Sequence, residues 1–349
     1  MPLHVATESW PYKVPFRVSR GAEAALDVVV VTLVDSQGRV GRGEAAGVDY
    51  DGETIALLCA QIEAVRERVE RALEGGAALA ADARFGAGAP ATAARHGFPG
   101  LAALLPAGGA RNAVDCAFWD LAAKQRRSTV WAMAQLPNPR RLTTSMTLGI
   151  DTDAAVTAGA QRYADWPLIK VKVDGERHLE VLRLVHAICP AAQLIVDPNQ
   201  AWSCDLLNRL APEMQSLGVT LIEQPVPRGE DESLRGYSGS IRLAADESVA
   251  DRAGLAAVKD LYQVVNVKLD KTGGLTEALA LARDARSLGL RVMVGCMAGT
   301  SLAMAPGMVV GQLAEFVDLD GPLLHAADRQ HGIAYDRGLM QLPSAALWG

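Results

Sequence analysis

Three acidic residues, Asp197, Glu223 and Asp246, each end a short apolar run, and they lie 26 and 23 residues apart. That spacing matches one strand plus one helix, so in a chain of alternating strands and helices the three carboxylates would lie at the same ends of neighbouring parallel strands. Oxygen ligands without His or Cys favour Mg²⁺ or Mn²⁺ over zinc. The spacing therefore predicts a divalent metal site formed by these residues.

Lysines flank the predicted metal site on two further runs. Lys170 and Lys172 are two residues apart, so they point to the same side of a strand, and Lys268 ends another apolar run. Buried lysines need structural salt bridges or an anionic substrate. A second lysine and a divalent cation both disfavour the ammonium form of Lys172, which suits a general base. We expect Lys172 and Lys268 to be catalytic, Lys170 to bind substrate, and Lys271, in the following loop, to be a surface or electrostatic residue.

Four more polar residues follow predicted strands. Asn199 and Glu247 come just after Asp197 and Asp246, and strand alternation would turn Glu247 to the other side, so we expect both to support the metal ligands. Asp318 and Asp320 share one face of a predicted strand, where both could accept from an ammonium group. Two turn residues before a Gly-Pro pair would show the same spacing, so that interpretation stays open.

Length and composition bound the class of protein. A chain of 349 residues suits a large α/β barrel plus a smaller domain, and 21% charged residues are ordinary for a globular protein. A net charge of −6 without a Lys/Arg block argues against nucleic acid or membrane as partners. Five scattered cysteines fit a reducing compartment, and no leader or membrane-length apolar run is present, so we expect the cytoplasm.

The second part of the chain shows eight apolar, β-branched runs separated by helical stretches. The runs cover residues 142–150, 168–173, 193–197, 219–223, 241–246, 263–268, 291–296 and 315–319. Helical patterns between them include residues 176–188, 206–217, 252–261 and 274–288. Such a pattern predicts parallel strands joined by helices, closed as a barrel with its chemistry at the carboxyl ends of the strands. Because no long helix pattern follows the eighth run, we expect a modified (β/α)7β TIM-like barrel.

The first part of the chain has an α+β pattern. Residues 26–34 and 40–45 predict a hairpin, residues 54–73 and 111–125 predict helices, and the Ala- and Gly-rich residues 75–94 predict a loop or weak helix. The predicted domains are an α+β capping domain over residues 1–120, completed by the tail at about 325–349, and a catalytic barrel over residues 121–324.

Several motifs together resemble the enolase superfamily, in the branch of muconate lactonising enzymes and dipeptide epimerases. They are the Lys170-Val171-Lys172 run, the three metal residues, the segments 266–275 and 111–121, Gly295-Cys296-Met297, and Asp318-Leu319-Asp320-Gly321-Pro322. The likeness covers nearly the whole chain. The segments 266–275 and 318–322 especially resemble those of bacterial L-Ala-D/L-Glu epimerases.

The resemblance implies a mechanism. Enolase-superfamily sites use a Lys or His base with one or two Mg²⁺ ions, so we expect one Mg²⁺ per subunit, for which Mn²⁺ substitutes. Removal of an α-proton beside a carboxylate builds a second negative charge, as an enediolate, that the cation stabilises. With Lys172 on one face and Lys268 on the other, one lysine removes the proton and the other returns it to the opposite face. The product is the epimer.

The implied substrate is a dipeptide such as L-Ala-L-Glu. Asp318 and Asp320 would bind its free amino terminus, with Cys296 beside it, and Arg20 is a candidate partner for a glutamate side chain. Asp49 and Asp51, in a capping-domain loop, would disfavour an anionic side chain. The preference for the second residue therefore stays open.

Other functions were weighed against the epimerase. An N-succinylamino acid racemase or o-succinylbenzoate synthase would use the same metal and lysines, with Lys268 only stabilising charge, but would leave the aspartate pair unexplained. A sugar-acid dehydratase would need a His base on the seventh strand, where none of the six His residues lies. A non-catalytic binding barrel would lack an essential group, and all are present. We expect a homo-oligomer whose only other partner is the small-molecule substrate.

Overall fold

The computed structural model describes residues 2–18, 21–74, 100–136 and 138–349. Arg20 and the predicted loop at residues 75–94 lie outside this part. The chain begins with a three-stranded antiparallel sheet in the order β1-β2-β3. Its strands are β1 (Leu3–Val18), β2 (Gly21–Val34) and β3 (Val40–Ala45). The predicted hairpin is β2 and β3, and β1 is an addition that the sequence pattern did not indicate.

Four helices follow the sheet: α1 (Ile55–Glu74), α2 (Leu101–Leu104), α3 (Gly109–Arg126) and α4 (Val130–Met133). Helices α1 and α3 pack on the sheet, and the single turns α2 and α4 contact α3. Helix α3 lies so close to β3 that a Cβ atom on Gly43 would be 2.1 Å from the Ala113 carbonyl oxygen, and one on Gly41 would be 2.3 Å from that of Ala117. Only glycine fits at these two positions, and the close approach buries α3 almost completely.

The barrel contains eight parallel strands in the order β12 to β5. They are β5 (Met146–Leu148), β6 (Leu168–Lys172), β7 (Gln193–Asp197), β8 (Val219–Glu223), β9 (Arg242–Ala245), β10 (Val264–Lys268), β11 (Arg291–Gly295) and β12 (Phe316–Val317). The Ser145 N–H donates to the Val317 carbonyl at 2.8 Å, which joins the first strand to the last. The predicted α/β architecture, a TIM-like barrel with an antiparallel capping domain, is confirmed.

Helices join the barrel strands. They are α5 (Asp153–Arg162), α6 (Leu179–Ile188), α7 (Cys204–Ser216), α8 (Leu255–Val258), α9 (Leu269–Thr272), α10 (Leu275–Ser287), α11 (Ser301–Gly311) and α12 (Gly321–Leu324). Helix α6 begins later than predicted because the Asp174 carboxylate accepts from the N–H groups of Glu176 and Arg177, which holds a turn there. Helix α8 is a single turn, shorter than the predicted helix at 252–261. Within the described residues, no helix has the length and apolar character needed to cross a bilayer.

The run at 142–150 is divided between two sheets. Only β5 belongs to the barrel, whereas β4 (Leu142–Thr143) pairs with a tail hairpin formed by β13 (Tyr335–Asp336) and β14 (Leu339–Met340). The tail also contacts the capping domain. The Ala326 N–H donates to the Pro11 carbonyl at 2.8 Å, and Trp348 Nε1 donates to the Cys116 carbonyl at 3.1 Å. These contacts agree with a capping domain completed by the tail, whose boundaries stay a prediction.

Side-chain alternation divides the barrel interior into two layers. One apolar residue from each of β6 to β12 forms a separate cluster: Leu168, Ile195, Leu221, Ala244, Val264, Met293 and Phe316. The residue two positions later in each case is Lys170, Asp197, Glu223, Asp246, Asn266, Gly295 or Asp318. Because a strand repeats every two residues, both sets face inward. The apolar layer closes the floor, and the charged layer lies above it at the carboxyl ends of the strands.

Candidate active site

A cavity of about 340 Å³ lies between the capping domain and the charged layer of the barrel. The barrel contributes Lys170, Lys172, Asn199, Glu247, Lys268, Cys296, Asp318 and Asp320 to its lining, and the capping domain contributes Tyr12, Glu23, Asp27, Asp49 and Tyr50, among others. Two of the three predicted metal ligands lie immediately beneath this surface, in contact with Lys170. The structure thus gathers in one place residues that are far apart in the sequence.

Lys170 is the central cation of the charged layer. Its Nζ lies 3.0 Å from Asp197 Oδ2, 2.6 Å from Glu223 Oε2 and 2.9 Å from Asp318 Oδ2. Burial alone would lower the pKa of Lys170, but Asp197, Asp318 and Glu223 outweigh it and hold the pKa well above its ordinary value. Lys170 is therefore an ammonium group that neutralises the carboxylates around it.

The other two lysines face each other across the barrel. Lys172 ends β6 and Lys268 ends β10, four strands further in a sheet of eight. Lys172 Nζ lies 2.9 Å from Asp197 Oδ2 and 2.8 Å from Asn199 Oδ1, and Lys268 Nζ lies 2.6 Å from Asp246 Oδ2. Burial lowers the pKa of Lys268, but the carboxylate of Asp246 reverses this and raises it well above its ordinary value.

The three predicted metal residues are at most 1% exposed. Burial would raise the pKa of Asp197, but Lys170 and Lys172 hold it below its ordinary range, and Lys268 does the same for Asp246 against the effect of burial. Glu223 differs, because burial and the nearby Asp197 raise its pKa to about 8. Glu223 is thus the one of the three residues whose negative charge the nearby lysines do not fully compensate.

The buried carboxyl groups and lysines of the charged layer determine whether a divalent cation fits there. Six carboxyl groups are buried at this layer, those of Asp197, Glu223, Asp246, Glu247, Asp318 and Asp320, against four buried or half-buried lysines, those of Lys170, Lys172, Lys268 and Lys271. With all six carboxyls ionised, as they would be beside a metal ion, the excess of two negative charges equals the charge of one divalent cation. Glu223 Oε2 accepts no directed hydrogen bond, although Lys170 approaches it. An oxygen-only donor set with this excess fits Mg²⁺.

The carboxylates are nevertheless not arranged as a coordination sphere. Among the described residues, no three His, Cys, Asp or Glu side chains converge as they would on a metal ion. The reason is visible in the ion pairs, since lysines contact all three predicted ligands. The donor set therefore fits a divalent cation in type and charge, and the assignment of Asp197, Glu223 and Asp246 as ligands stays a prediction.

Asp318 and Asp320 lie side by side in the cavity wall. Ser145 Oγ donates to Asp318 Oδ1 at 2.7 Å, and the Thr147 N–H donates to Asp320 Oδ2 at 2.6 Å. Burial and the charge of Asp318 raise the pKa of Asp320 to about 7. Both residues are at most 5% exposed. They are buried acceptors that face the same cavity as the lysines.

Two family models together match most of the chain. Residues 1–134 match the N-terminal domain of mandelate racemase and muconate lactonizing enzyme, and residues 153–346 match the enolase C-terminal domain-like family. The chain belongs to the enolase superfamily. It is an isomerase of the epimerase and racemase type.

Four similar proteins illustrate the range of this family. An N-acetyl-D-glutamate racemase from Pseudoalteromonas is 44% identical over 70% of this chain and 78% of its own, and the L-Ala-D/L-Glu epimerase of Escherichia coli is 36% identical over 97% and 99%. An enolase family member from Agrobacterium tumefaciens, solved with sodium and L-Ala-L-Glu, is 36% identical over 99% of both chains with a TM-score of 0.87. A dipeptide epimerase from Methylococcus capsulatus, solved with Mg and L-Arg-D-Lys, is 27% identical over 97% and 96% with a TM-score of 0.81.

Three supporting residues of this enolase-superfamily site can be placed. Asn199 accepts from Lys172, and its N–H donates to Asp197 Oδ1 at 2.9 Å. Cys296 lines the cavity, and burial raises its pKa. Glu247 lines the cavity too, which corrects the outward orientation expected from strand alternation. The physical reason is that β9 ends at Ala245, so Glu247 lies in a turn where alternation no longer applies.

Of the two roles expected for Lys271, the structure contradicts the surface one and agrees with the electrostatic one, and it places the residue in a short helix and not in a loop. Lys271 is 5% exposed, not at the surface, and its Nζ donates to Asp246 Oδ1 at 2.6 Å and to the carbonyls of Val249 and Asn266 at 3.0 Å each. Helix α9, which carries Lys271, lies under α3, where the Arg111 guanidinium donates to the Thr272 carbonyl at 2.6 Å. The Gly-Gly pair after Thr272 could have indicated this close packing, because two consecutive glycines mark a tight turn of the chain.

Proposed function

We propose that this chain is a Mg²⁺-dependent dipeptide epimerase that inverts the α-carbon of the C-terminal residue. One observation carries the proposal: Lys172 and Lys268, from opposite strands of the barrel, face one cavity that also contains buried carboxylates. Two proton carriers on opposite sides of one α-carbon can remove a proton from one face and return it to the other. Metal dependence is supported by the magnesium in the Methylococcus capsulatus relative.

The chemistry divides between these residues. Asp197, Glu223 and Asp246 would hold the cation, which supplies a positive charge where the substrate carboxylate becomes more negative. Lys172 and Lys268 exchange the proton at the α-carbon, each acting as base for one epimer and acid for the other. Lys170 adds a fixed positive charge at the carboxylate end of the site. The capping domain covers the cavity and limits the access of water.

The amino end of the substrate is assigned to Asp318 and Asp320. Two adjacent buried carboxyls with one raised pKa indicate a shortage of positive charge, which a substrate ammonium group would relieve. A dipeptide with a free amino terminus meets this need. L-Ala-L-Glu, expected from the family resemblance, is the first such substrate to test.

A second candidate is an N-acylamino acid racemase, which the N-acetyl-D-glutamate racemase relative favours. An N-acyl substrate would meet the same lysines and metal. It would, however, bring no cation to Asp320, which is buried and has no ion-pair partner among the described residues, and a buried carboxylate without one is costly. The dipeptide is therefore the better fit to the described residues.

Proton exchange in D₂O tests the proposal. The protein with Mg²⁺ is incubated with a panel of L-Ala-L-Xaa dipeptides and a panel of N-acetyl amino acids, and proton NMR follows loss of the α-proton. We expect exchange and epimerisation at the C-terminal residue of at least one dipeptide, and none after EDTA treatment. Exchange confined to the N-acetyl panel would transfer the function to the second candidate, and exchange in neither panel would refute both.

A further inference from the structure

The wall that the capping domain presents to the cavity is acidic. Glu23, Asp27 and Asp49 line it, and we call these three residues the acidic wall. Among the described residues that line the cavity, the capping domain contributes no Lys or Arg. All positive charge in the described lining comes from the barrel lysines, whose carboxylate partners lie within 3.0 Å.

Two members of the acidic wall come from one strand. Glu23 and Asp27 lie on β2 and both line the cavity, as do Ala25 and Leu26 between them. Within the described part of the chain, neither carboxylate has an ion-pair partner, and both are exposed. Asp49 reaches the same space from a loop. Both Glu23 and Asp49 lie near Tyr12, another residue of the lining: burial is the main cause that raises the pKa of Tyr12, and the charges of Glu23 and Asp49, among others, add to it.

A buried carboxylate on the barrel side gives an independent indication. Glu247 is 4% exposed and lines the same cavity, and its Oε2 has no hydrogen-bond partner among the described residues. It lies near Tyr50 of the capping domain, because burial, Asp246 and also Glu247 raise the pKa of that tyrosine. A carboxylate oxygen buried without a donor is unfavourable. A hydrogen-bond donor or a cation that reaches Glu247 Oε2 from the cavity would therefore be stabilised there.

The proposed reaction leaves one direction for the substrate side chain. The α-proton faces the lysines, the carboxylate faces Asp197, Glu223 and Asp246, and the α-nitrogen leads toward the aspartate pair. The fourth substituent of a tetrahedral carbon must then point to the remaining wall of the cavity. That wall is the capping-domain side, where the acidic wall lies beside Tyr12, Leu26 and Ile55.

We propose that the C-terminal residue of the preferred dipeptide carries a cationic side chain, that of Lys or Arg. This inference rests on the proposed epimerase function and specifies its substrate class. An ammonium or guanidinium group is attracted to the acidic wall, whereas a glutamate side chain is repelled by it. The wall selects for charge and not for a single shape, because two of its carboxylates, those of Glu23 and Asp27, are exposed.

Turnover of matched dipeptides provides the test. The substrates are L-Ala-L-Lys, L-Ala-L-Arg, L-Ala-L-Gln and L-Ala-L-Glu, and kcat/KM is measured by polarimetry at low ionic strength. Each exposed charge contact is worth about threefold, so we expect the Lys and Arg dipeptides to exceed L-Ala-L-Gln by at least about tenfold and L-Ala-L-Glu by more. The preference should decline as salt is added, since exposed charges are screened.

Variants locate the preference. Glu23→Gln and Asp49→Asn should each reduce the ratio of kcat/KM for L-Ala-L-Lys over L-Ala-L-Gln by about threefold, and Glu23→Lys should invert the order of Lys and Glu substrates. Asp51, expected from the sequence to act with Asp49 on the substrate side chain, instead pairs with Arg228 at 2.9 Å and does not line the cavity. Asp51→Asn is therefore the matched control. Its ratio should equal that of the unchanged protein.

The outcomes separate the two proposals. Faster turnover of L-Ala-L-Glu than of L-Ala-L-Lys by the unchanged protein would overturn the cationic side chain while leaving the epimerase intact. If Arg20→Gln then abolished the glutamate preference, the partner suggested by the sequence would replace the acidic wall. A preference for Lys that Asp51→Asn changes as much as Glu23→Gln would also overturn the assignment. Loss of exchange with every dipeptide would instead refute the epimerase.

Discussion

Charged side chains of the barrel site are buried in ion pairs, whereas those that the capping domain presents to the cavity from β2 are exposed. In the barrel, Lys170, Lys172 and Lys268 are buried or half-buried, and each has a carboxylate within 3.0 Å. In the acidic wall, the carboxylates of Glu23 and Asp27 are exposed, without a cationic partner among the described residues. Desolvated pairs are strong and fix geometry, whereas exposed charges are screened and weak. The comparison assigns the reaction to the barrel and the choice of substrate to the capping domain.

Removal of either catalytic lysine tests the barrel side with the largest expected effect. Lys172→Ala and Lys268→Ala should each lower the rate of epimerisation by roughly 10³-fold or more, because a positioned acid or base contributes about 10²–10⁴-fold. Proton exchange in D₂O should survive for only one of the two epimers in each variant, since one face keeps its lysine. The two variants should therefore retain exchange with opposite epimers.

The control for these variants is Lys259→Ala, because Lys259 is exposed on the barrel surface far from the charged layer. Its rate should equal that of the unchanged protein. Circular dichroism would check that each variant is folded. An undiminished epimerisation rate in Lys268→Ala would refute the two-base assignment, whatever the other variant does.

The buried Lys271 tests whether paired charges in the barrel also prepare the metal site. Lys271→Met removes the ammonium group that holds Asp246 Oδ1 and two carbonyls, and leaves an apolar chain of similar length. We expect Mn²⁺ affinity, measured by electron paramagnetic resonance, to fall by about 10- to 100-fold, as for other groups that orient a metal ligand. Lys259→Met is the surface control. Unchanged affinity in a folded Lys271→Met protein would show that Asp246 needs no such support.

The sequence predicted the barrel's charged layer because the spacing of strands and helices in the barrel is regular. Asp197 and Glu223 end their strands and Asp246 directly follows one, so the strand-plus-helix repeat brings the three together. The burial of Lys271 was not predictable in the same way, because it depends on α3 covering α9 across 161 residues of sequence. Glu247 was misplaced for a related reason, since alternation applies only while the strand continues.

The capping domain was less predictable than the barrel. Its strand β1 contains Pro11 and alternates poorly, and it is held by its register with β2 rather than by its own pattern. The acidity of the wall was visible only in part, because Asp49 stands in a recognisable loop whereas Glu23 and Asp27 read as ordinary surface residues of a strand. Only the fold shows that these three carboxylates face one cavity.

Asp270 offers the smallest test, because it is buried like the barrel charges but, like Glu23 and Asp27, has no ion-pair partner among the described residues. It is 6% exposed and accepts from the Gly47 N–H of the capping domain at 3.0 Å. Burial raises its pKa from 3.8 to about 7. Between these values the folded state binds more protons than the unfolded state, so the free energy of unfolding contributed by this group falls as pH rises from about 4 to 7.

The Asp270→Asn variant should therefore lose part of this pH dependence. An amide oxygen can still accept from the Gly47 N–H, but it does not titrate, so the slope of unfolding free energy against pH should change by no more than about 1.4 kcal/mol per pH unit. Urea unfolding at several pH values between 4 and 7 measures the slope, with Asp260→Asn as the control because Asp260 is exposed. Equal slopes in all three proteins would mean that Asp270 is ionised throughout, and that a compensating charge reaches it at the junction between capping domain and barrel.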